Sequence, residues 1–242
     1  MTPIIRAYGA GVRTGWPRDG LELDALQEQL ARSAVAAPGW RPAWDRDLAI
    51  GGLFVASSTS GTVRCWVGAC VVGAGSLMSS AVISGAPGAP YVPGRLALRE
   101  GPLLERAASQ IDAPLDVLLV NATGRDHPRG AGLAVHLGAV LDVPTVGVTD
   151  RPLVAEPAGE PGEDRGSWMP LELKGEVVGH LVRTRVTARP VAVHAGWRTD
   201  PDTARSVVLA ASGPARTPEP IRRARQVARL ARAAAEGRLE RR

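Results

Sequence analysis

The apolar positions in the first half of the chain change their spacing from one segment to the next. Leucines recur among charged residues over 21–37, which predicts a helix that begins near Asp19 or Gly20. Residues 47–86 then form three β-rich segments joined by short Gly/Ser turns, which predicts an antiparallel meander. A second helix, interrupted by a proline, is predicted over residues 95–111.

The second half begins with "LDVLLV", residues 115–120, whose uniformly apolar character is typical of a parallel strand covered on both faces. A helix at 130–141 and a strand at 144–149 complete a strand, helix, strand unit. Residues 151–167 are polar and rich in Pro and Gly, so we expect a long, exposed and mobile loop. The remaining predicted elements are a hairpin, a strand and two helices, at residues 169–184, 190–196, 200–211 and 217–242.

A three-strand meander followed by a strand, helix, strand unit predicts an α/β fold in which helices flank a mixed sheet of antiparallel and parallel strands. The ribonuclease H-like arrangement has this order, with the first strand central. Its site forms where the ends of the first and fourth strands lie side by side. We expect one domain over residues 1–242, with an extra basic helix at about 217–240.

The chain carries a formal net charge of +5 and has a sequence pI of about 10.1, which suits a polyanionic partner such as nucleic acid. Nearly all the basic residues are arginines in a chain rich in Ala, Gly and Pro, so a compositional origin stays equally open. For the basic C-terminal helix, a solvated face is favoured over a nucleic-acid contact because no aromatic residue interleaves its arginines.

Cys65 and Cys70 have an odd spacing, which places them on opposite faces of a strand and disfavours a disulfide. Buried thiols without a disulfide framework fit a reducing cytoplasm, and the first residues lack the apolar core of a signal peptide. Residues 65–94 carry no charge but contain many Gly, Ser and Pro residues, so strands and a turn are favoured over a membrane span. A cytoplasmic protein without a membrane partner is therefore expected.

The segment that bears most on function is "VLLVNATGRDHPRGAGLAVHLG", residues 117–138. It predicts a buried strand, then a loop with Gly124, His127 and Arg129, then a helix, which is how nucleases present catalytic groups. The strand ends at Asn121, where such a site would be expected to have a carboxylate.

Three blocks of the sequence resemble endonuclease V, a family that cleaves nucleic acid one phosphodiester away from a deaminated base. They are "PYVPGRLALRE" at 90–100, "VNATGRDHPRGAGLAVHLGAVLDVPTVGV" at 120–148, and a weaker match from "GEVVGHLVRT" to "VHAGWRTDPDTA". The likeness covers roughly residues 20–212 and agrees with a ribonuclease H-like fold. It implies a DNA-repair hydrolase of the metal-dependent type.

In that family, the resemblance implies, two Asp residues and one Glu hold a divalent metal and a Lys supports the reaction. Glu100 is retained, but the first Asp falls at Leu53 or at Phe54, the second at Asn121, and the Lys at Asp150. Mg²⁺ binds hard anionic oxygens, so a metal held by Glu100 alone would be weak. No cofactor is expected, and Mg²⁺ or Mn²⁺ only where nuclease activity is retained.

The resemblance also implies a wedge that separates strands and a loop that recognises the base, and both are retained. The wedge residues are Tyr91, Pro93 and Gly94, and the loop residues are Gly124, His127, Pro128 and Arg129. Tyr91 would stack on a base, although "YVPG" is equally a rigid turn. His127 would lie at a base pocket or cap the next helix.

Two further histidines bear on the site. A family His falls at Trp197, with His194 three residues earlier, and His136 is predicted to be packed inside its helix rather than to bind a ligand. Neither position restores the charge that the metal site lacks.

Three hypotheses follow. The first is an endonuclease V-like pseudoenzyme that binds DNA or RNA with deaminated bases and has lost the metal-dependent cleavage. The second is a pocket reused for a small molecule, with Glu100 and Asp150 beside His127 as acid and base that raise one another's pKa.

In that second hypothesis, Leu53 or Phe54 would make the former metal cavity apolar. The third hypothesis is a working nuclease in which Asp47, Asp126 or Asp150 replaces the missing ligands.

Overall fold

The computed structural model describes residues 15–37 and 39–237, which form one nine-stranded sheet with helices on both faces. The helices are α1 (Gly20–Ala36), α2 (Leu96–Ala108), α3 (Leu133–Leu141), α4 (Pro201–Ala210) and α5 (Glu219–Ala235). The strands are β1 (Ile50–Ser57), β2 (Cys65–Gly73), β3 (Ser76–Gly85), β4 (Val117–Val120), β5 (Thr145–Thr149), β6 (Glu156–Pro157), β7 (Trp168–Leu173), β8 (Glu176–Val182) and β9 (Val191–Ala195).

The strand order is β3-β2-β1-β4-β5-β9-β8-β7-β6. β1 is antiparallel to β2 and parallel to β4, and β4 is parallel to β5. This confirms the predicted mixed sheet, with its antiparallel meander and parallel strands. Leu53 pairs with Val120, and the Asn121 N–H donates to the Leu53 carbonyl at 3.3 Å. The ends of the first and fourth strands therefore lie side by side, as the sequence predicted.

Each face of the sheet has its own apolar core because successive side chains of a strand point to opposite faces. On β4, Leu118 packs in the core under α2 and α3, whereas Leu119 packs in the core under α4 and α5. α1 lies outside α3, where Leu30 and Ala34 complete a third cluster. The Asp19 side chain accepts from two N–H groups of the first turn of α1, as expected of its start.

α5 lies directly on β1 and β2, where glycines allow its backbone to approach. A Cβ at Gly52 would lie 2.2 Å from the Pro220 carbonyl carbon, and one at Gly68 would lie 2.1 Å from the Ala224 oxygen. Ile221 is fully buried in this contact. The basic helix is therefore a layer of the fold, and only its outer face is solvated. Residues 238–242, which the prediction included in part, lie outside the described residues.

The loop at 151–167 is largely exposed, as predicted, but its first half is tied to the rest of the fold. Ala155 is buried, and β6 pairs with β7 through Glu156 and Glu172. Three consecutive N–H groups of this segment, at residues 153–155, donate to the buried Asp126 carboxylate. A single carboxylate thus fixes the start of the loop.

The cysteines and the uncharged segment follow their predictions. Cys65 and Cys70 are both buried and both free. The uncharged residues 65–94 supply β2 and β3, as expected. No helix in the described ranges, 15–37 and 39–237, is long and apolar enough to cross a membrane.

Candidate functional site

A cavity of about 220 Å³ lies where β4 and β5 end, enclosed by the loops that follow them and by the wedge loop before α2. Tyr91, Gly94, Asn121 and His127 are the predicted site residues that line it, and Thr149 joins them. A larger cavity of about 970 Å³ lies beside Trp44 and the start of β1, at the opposite end of that strand. We therefore place the candidate site in the smaller cavity.

The Asn121 side chain serves as a donor in this site. Its Nδ2 donates to the Val148 carbonyl of β5 at 3.0 Å, and its backbone N–H is bonded to Leu53. The reverse orientation of the amide would oppose two oxygens, so the assignment follows from the partner. An ionised Asp has no N–H to offer Val148. The amide is therefore the group that this position needs.

The pleat of β1 places the two candidates for the family's first Asp position on opposite faces of the sheet. Leu53 is fully buried in the core beneath α2, the helix that carries Glu100, whereas Phe54 faces α5. Leu53 lies on the α2 side of the sheet, whereas Phe54 is the residue level with Asn121, since Leu53 pairs with Val120. Both positions for the first Asp therefore stay open. Neither residue lines the cavity. The expectation that one of them makes the pocket apolar is therefore wrong.

Glu100 is directed toward the sheet, although it lies outside the cavity lining. It follows the buried Ala97 by three residues and precedes the buried Leu104 by four, so it shares their face of α2. Burial raises the pKa of the Glu100 carboxyl to about 7, and nearby Arg99 only partly opposes this. The carboxyl that the resemblance assigns to the family's metal site is thus about half protonated near neutral pH.

Asp150 and Glu100 have different surroundings and opposite pKa shifts. Its side chain is 75% exposed and forms an ion pair with Arg216, and the hydrogen bond from Arg216 lowers the pKa of the Asp150 carboxyl. Glu100 is shifted by burial and by Arg99. The expectation that the two carboxyls raise one another's pKa is therefore wrong, and neither lines the cavity beside His127.

The residues at this edge of the sheet do not fit a divalent metal. Asp126, one proposed substitute ligand, is wholly buried and accepts three backbone N–H groups, while Asp47 is exposed beside the larger cavity. Across the described parts of the chain, no three His, Cys, Asp or Glu side chains come together as a metal site would require. The geometry therefore gives Mg²⁺ no anionic cage.

His127 joins the wedge loop to the base-recognition loop. Its Nδ1 accepts from the Arg129 N–H at 3.2 Å, so its Nε2 carries the proton and donates to the Gly94 carbonyl at 2.9 Å. Burial lowers the pKa of His127, which keeps the ring neutral. Both ring nitrogens are therefore used inside the protein, and His127 holds the cavity wall rather than acting as a free base.

Two residues of α1 that the sequence did not single out complete this wall. Gln27 is buried, and its Oε1 accepts from Arg129 Nε at 2.8 Å. Asp24 pairs with both Arg95 and Arg129, at 2.7 and 2.9 Å. Gln27 lies between Leu23 and Leu30 on the apolar stripe of α1, which is the signal that could have found it.

Of the other residues that match the family, some are exposed at the surface and some are held by contacts within the protein. Tyr91 is 66% exposed at the cavity edge, Pro93 is exposed, and Gly94 has a φ of +76°, which favours glycine. Gly124 does not line the cavity, because a Cβ there would lie 2.1 Å from the Ala195 carbonyl oxygen. Arg129 is likewise held by the α1 side chains. Among these residues Tyr91 presents an exposed aromatic face at the cavity edge.

A second row of polar side chains, Asp126, His194 and Thr149, leads from the protein interior to the cavity. The Asp126 carboxylate lies 3.4 Å from His194 Nδ1, and His194 Nε2 lies 2.8 Å from the Thr149 hydroxyl. Asp126 and His194 are fully buried, whereas Thr149 is half-buried and lines the cavity. Burial lowers the pKa of His194, and the Asp126 charge opposes this.

The remaining aromatic and histidine positions are structural. Trp197, where the family's His falls, is buried against α1 and α3. His136 is fully buried and stacks on Trp16 with ring centroids 4.3 Å apart, as a packed histidine was expected to do. Neither takes part in the cavity.

Comparison with known proteins agrees with this geometry. The model of the family described as Endonuclease V matches residues 41–226. The endonuclease V of Rhodospirillum centenum is 42% identical over 145 residues, which span 60% of this chain and 60% of that protein.

Solved structures extend the likeness over the rest of the fold. The crystal structure of the endonuclease V of Streptomyces avermitilis has a TM-score of 0.82 and 33% identity, covering 92% of this chain and 96% of that one. The Ciona intestinalis endonuclease V, crystallised with a DNA that contains an inosine followed by a ribo-adenosine, has a TM-score of 0.74 at 20% identity over 89% of this chain and 98% of that one. Because the family model covers most of the sequence and the Streptomyces structure nearly all of the fold, this chain belongs to the endonuclease V family.

Proposed function

We propose that this protein binds nucleic acid and does not perform metal-dependent phosphodiester cleavage. The observation that carries the proposal is the pair of neighbouring strand ends, where Leu53 is buried in the core and Asn121 donates to Val148. Together they leave Glu100 without a second anionic oxygen from the family's set. Two-metal and one-metal hydrolysis both need such charge to hold the ion.

Positive charge from α5 supports binding of a phosphate backbone at the same edge. Arg225 and Arg229 lie over the Phe54 ring, 4.9 and 5.8 Å from its centroid, and Arg216 pairs with Asp150 nearby. We call Arg225 and Arg229 of α5, together with Arg216 just before that helix, the α5 arginine surface. Burial lowers the pKa of Arg225, and Arg229 and Arg216 lower it further, with Asp150 opposing.

This crowding makes the surface a good partner for an anion. Arg225 Nε is buried and has no hydrogen-bond partner among the described residues. A phosphate at the solvent-facing guanidinium nitrogens would relieve the repulsion between these groups. The arginine surface would then position the strand without a metal.

The cavity supports a role for a displaced base. Tyr91 is exposed at its edge and has a face on which a base can stack, while Asn121 offers an amide edge inside. The Ciona relative was crystallised with inosine-containing DNA. We therefore expect a preference for oligonucleotides that carry inosine, in DNA or in RNA.

Cleavage is tested with inosine-containing DNA and RNA in the presence of Mg²⁺ or Mn²⁺, comparing the wild type with Glu100→Gln. We expect no product from either protein. Cleavage by the wild type that is lost in Glu100→Gln would overturn the proposed loss of activity.

Binding is tested by fluorescence anisotropy against inosine-containing and plain oligonucleotides over a range of salt. Replacing Arg225 and Arg229 with Gln should lower the affinity and reduce the salt slope by about 1 for each arginine. The matched control replaces the exposed Arg32 and Arg106, on α1 and α2, with Gln. An equal loss in the control would refute the α5 arginine surface, and equally weak binding to both oligonucleotides would refute base recognition.

A further inference from the structure

We propose that Thr149, His194 and Asp126 act as nucleophile, general base and positioning carboxylate, and that they hydrolyse small acyl esters in the cavity. The proposal goes beyond the function proposed above and does not depend on nucleic-acid binding. It rests on the buried chain of polar groups that ends at the Thr149 hydroxyl, and on the place of that hydroxyl in the cavity lining.

The position of the proton on His194 follows from its neighbour. Asp126 accepts three backbone N–H groups, at 2.6, 2.8 and 2.8 Å, which stabilise the ionised carboxylate. His194 Nδ1 forms no hydrogen bond among the described residues. A bare Nδ1 lone pair 3.4 Å from the buried Asp126 charge would nevertheless be repelled, so Nδ1 carries the proton. Burial lowers the pKa of His194 and so favours a neutral ring. Nε2 is then an acceptor.

Thr149 is placed to give its proton to that acceptor. Its Oγ lies 2.8 Å from His194 Nε2, within the reach that a nucleophile and its base require. The Arg151 carbonyl, 2.7 Å from the same oxygen, competes for the proton. Rotation of the hydroxyl from Arg151 to His194 gives the resting state of a hydroxyl nucleophile held by an oriented imidazole.

The cavity limits what can reach Thr149. At about 220 Å³ it admits a small molecule, and apolar Leu96 and Leu133 line it on the side of the helices. Asn121 and Arg151 line it as well, and both carry N–H donors that can face a developing oxyanion. One hydrogen of Asn121 Nδ2 is bonded to Val148, and the other remains for a ligand. This donor set suits a carbonyl compound.

The reaction proceeds in two balanced steps. Thr149 Oγ bonds to the acyl carbon while its proton passes to His194 Nε2, and the ester C–O bond breaks as the leaving alcohol takes that proton. Water then adds to the acyl-threonine and gives a proton to His194 Nε2. The proton returns to Thr149 Oγ as the carboxylic acid leaves. Asp126 remains ionised throughout, and its charge, 3.4 Å from Nδ1, stabilises the protonated ring.

The test uses the full-length protein with p-nitrophenyl acetate, in stopped-flow and by peptide mass spectrometry. We expect a burst of p-nitrophenol equal to the protein concentration and an acetyl group on Thr149. Thr149→Val should abolish both and Thr149→Ser should keep both. Asp126→Asn should slow the burst roughly 100-fold at neutral pH and make its rate rise with pH, because the negative charge that stabilises protonated His194 is lost.

The control is Thr62→Val, at an exposed threonine between β1 and β2, which should leave the burst unchanged. Circular dichroism checks that each variant is folded. Wild-type protein without an acetyl group on Thr149, or a burst that persists in folded Thr149→Val, would overturn the proposal. A chain of purely structural hydrogen bonds predicts that negative result, and oligonucleotide binding would be unaffected by it.

Discussion

Replacing Glu100 with Gln is expected to stabilise the protein by an amount that grows as the pH rises from 4.5 to 7. Burial raises the pKa of this carboxyl from 4.5 to about 7 in the folded chain. Below pH 4.5 the group is protonated whether the chain is folded or not. Between the two values only the unfolded chain releases the proton, so the wild type loses stability with rising pH.

The size of the effect follows from the shift. Each pH unit by which the pKa of a carboxyl rises costs about 1.4 kcal/mol, so keeping Glu100 ionised inside the fold above pH 7 costs about 3 kcal/mol. Gln has nearly the same shape and carries no charge. The variant and the wild type should therefore have similar free energies of unfolding near pH 4.5 and differ by about 3 kcal/mol above pH 7.

Urea unfolding over this range, with EDTA present, measures the difference between the two proteins. The exposed Glu28, replaced with Gln on α1, is the control and should give parallel curves. Parallel curves for Glu100→Gln would refute the reasoning, because they would mean that Glu100 is ionised at no cost. Addition of Mg²⁺ should change neither curve; a selective gain for the wild type would reveal a metal at Glu100.

Three further substitutions test other parts of the structure. Asn121→Asp removes the donor to Val148 and should cost about 1–3 kcal/mol without creating Mg²⁺-dependent cleavage. Gly52→Ala places a Cβ 2.2 Å from Pro220 and should destabilise the contact of α5 by more than about 2 kcal/mol, measured by urea unfolding. Asp126→Ala removes the acceptor of three N–H groups, of which that of Ala155 is buried, and should expose the following loop to limited proteolysis.

For each of these three substitutions, one result would contradict the prediction. Mg²⁺-dependent cleavage by Asn121→Asp would mean that the site lacks only one carboxylate. Unchanged unfolding of Gly52→Ala would show that α5 does not lie on β1, and Gly213→Ala, at an exposed glycine with open space around it, is its control. Resistance of Asp126→Ala to protease would show that the loop has another anchor.

Much of the fold could be predicted because the apolar pattern reports which faces are covered. The uniformly apolar residues of β4 predicted a strand covered on both faces, and the Gly/Ser turns predicted where the strands of the meander end. The two candidates Leu53 and Phe54 could not be separated by sequence, since a shift of one residue changes the face. The pleat of the paired strands shows only that the two side chains lie on opposite faces of the sheet.

The site was harder to predict because it depends on where side chains point after distant segments meet. Glu100 and Asp150 were expected to share a pocket, but helix α2 and Arg216 take them to different surroundings. Asp126 and His194 are joined only when β9 pairs with β5. Nothing in the local sequence of either residue indicates that contact.

The glycine contact between α5 and the sheet also bears on the order of folding. Gly52 and Gly68 are synthesised long before Pro220 and Ala224, which cover them. Until the ribosome has released residues 219–228, that face of β1 and β2 stays open to water and to other chains. We expect α5 to pack on the meander late in folding, because the two segments are far apart in sequence. This late contact slows folding and makes the nascent chain dependent on chaperones.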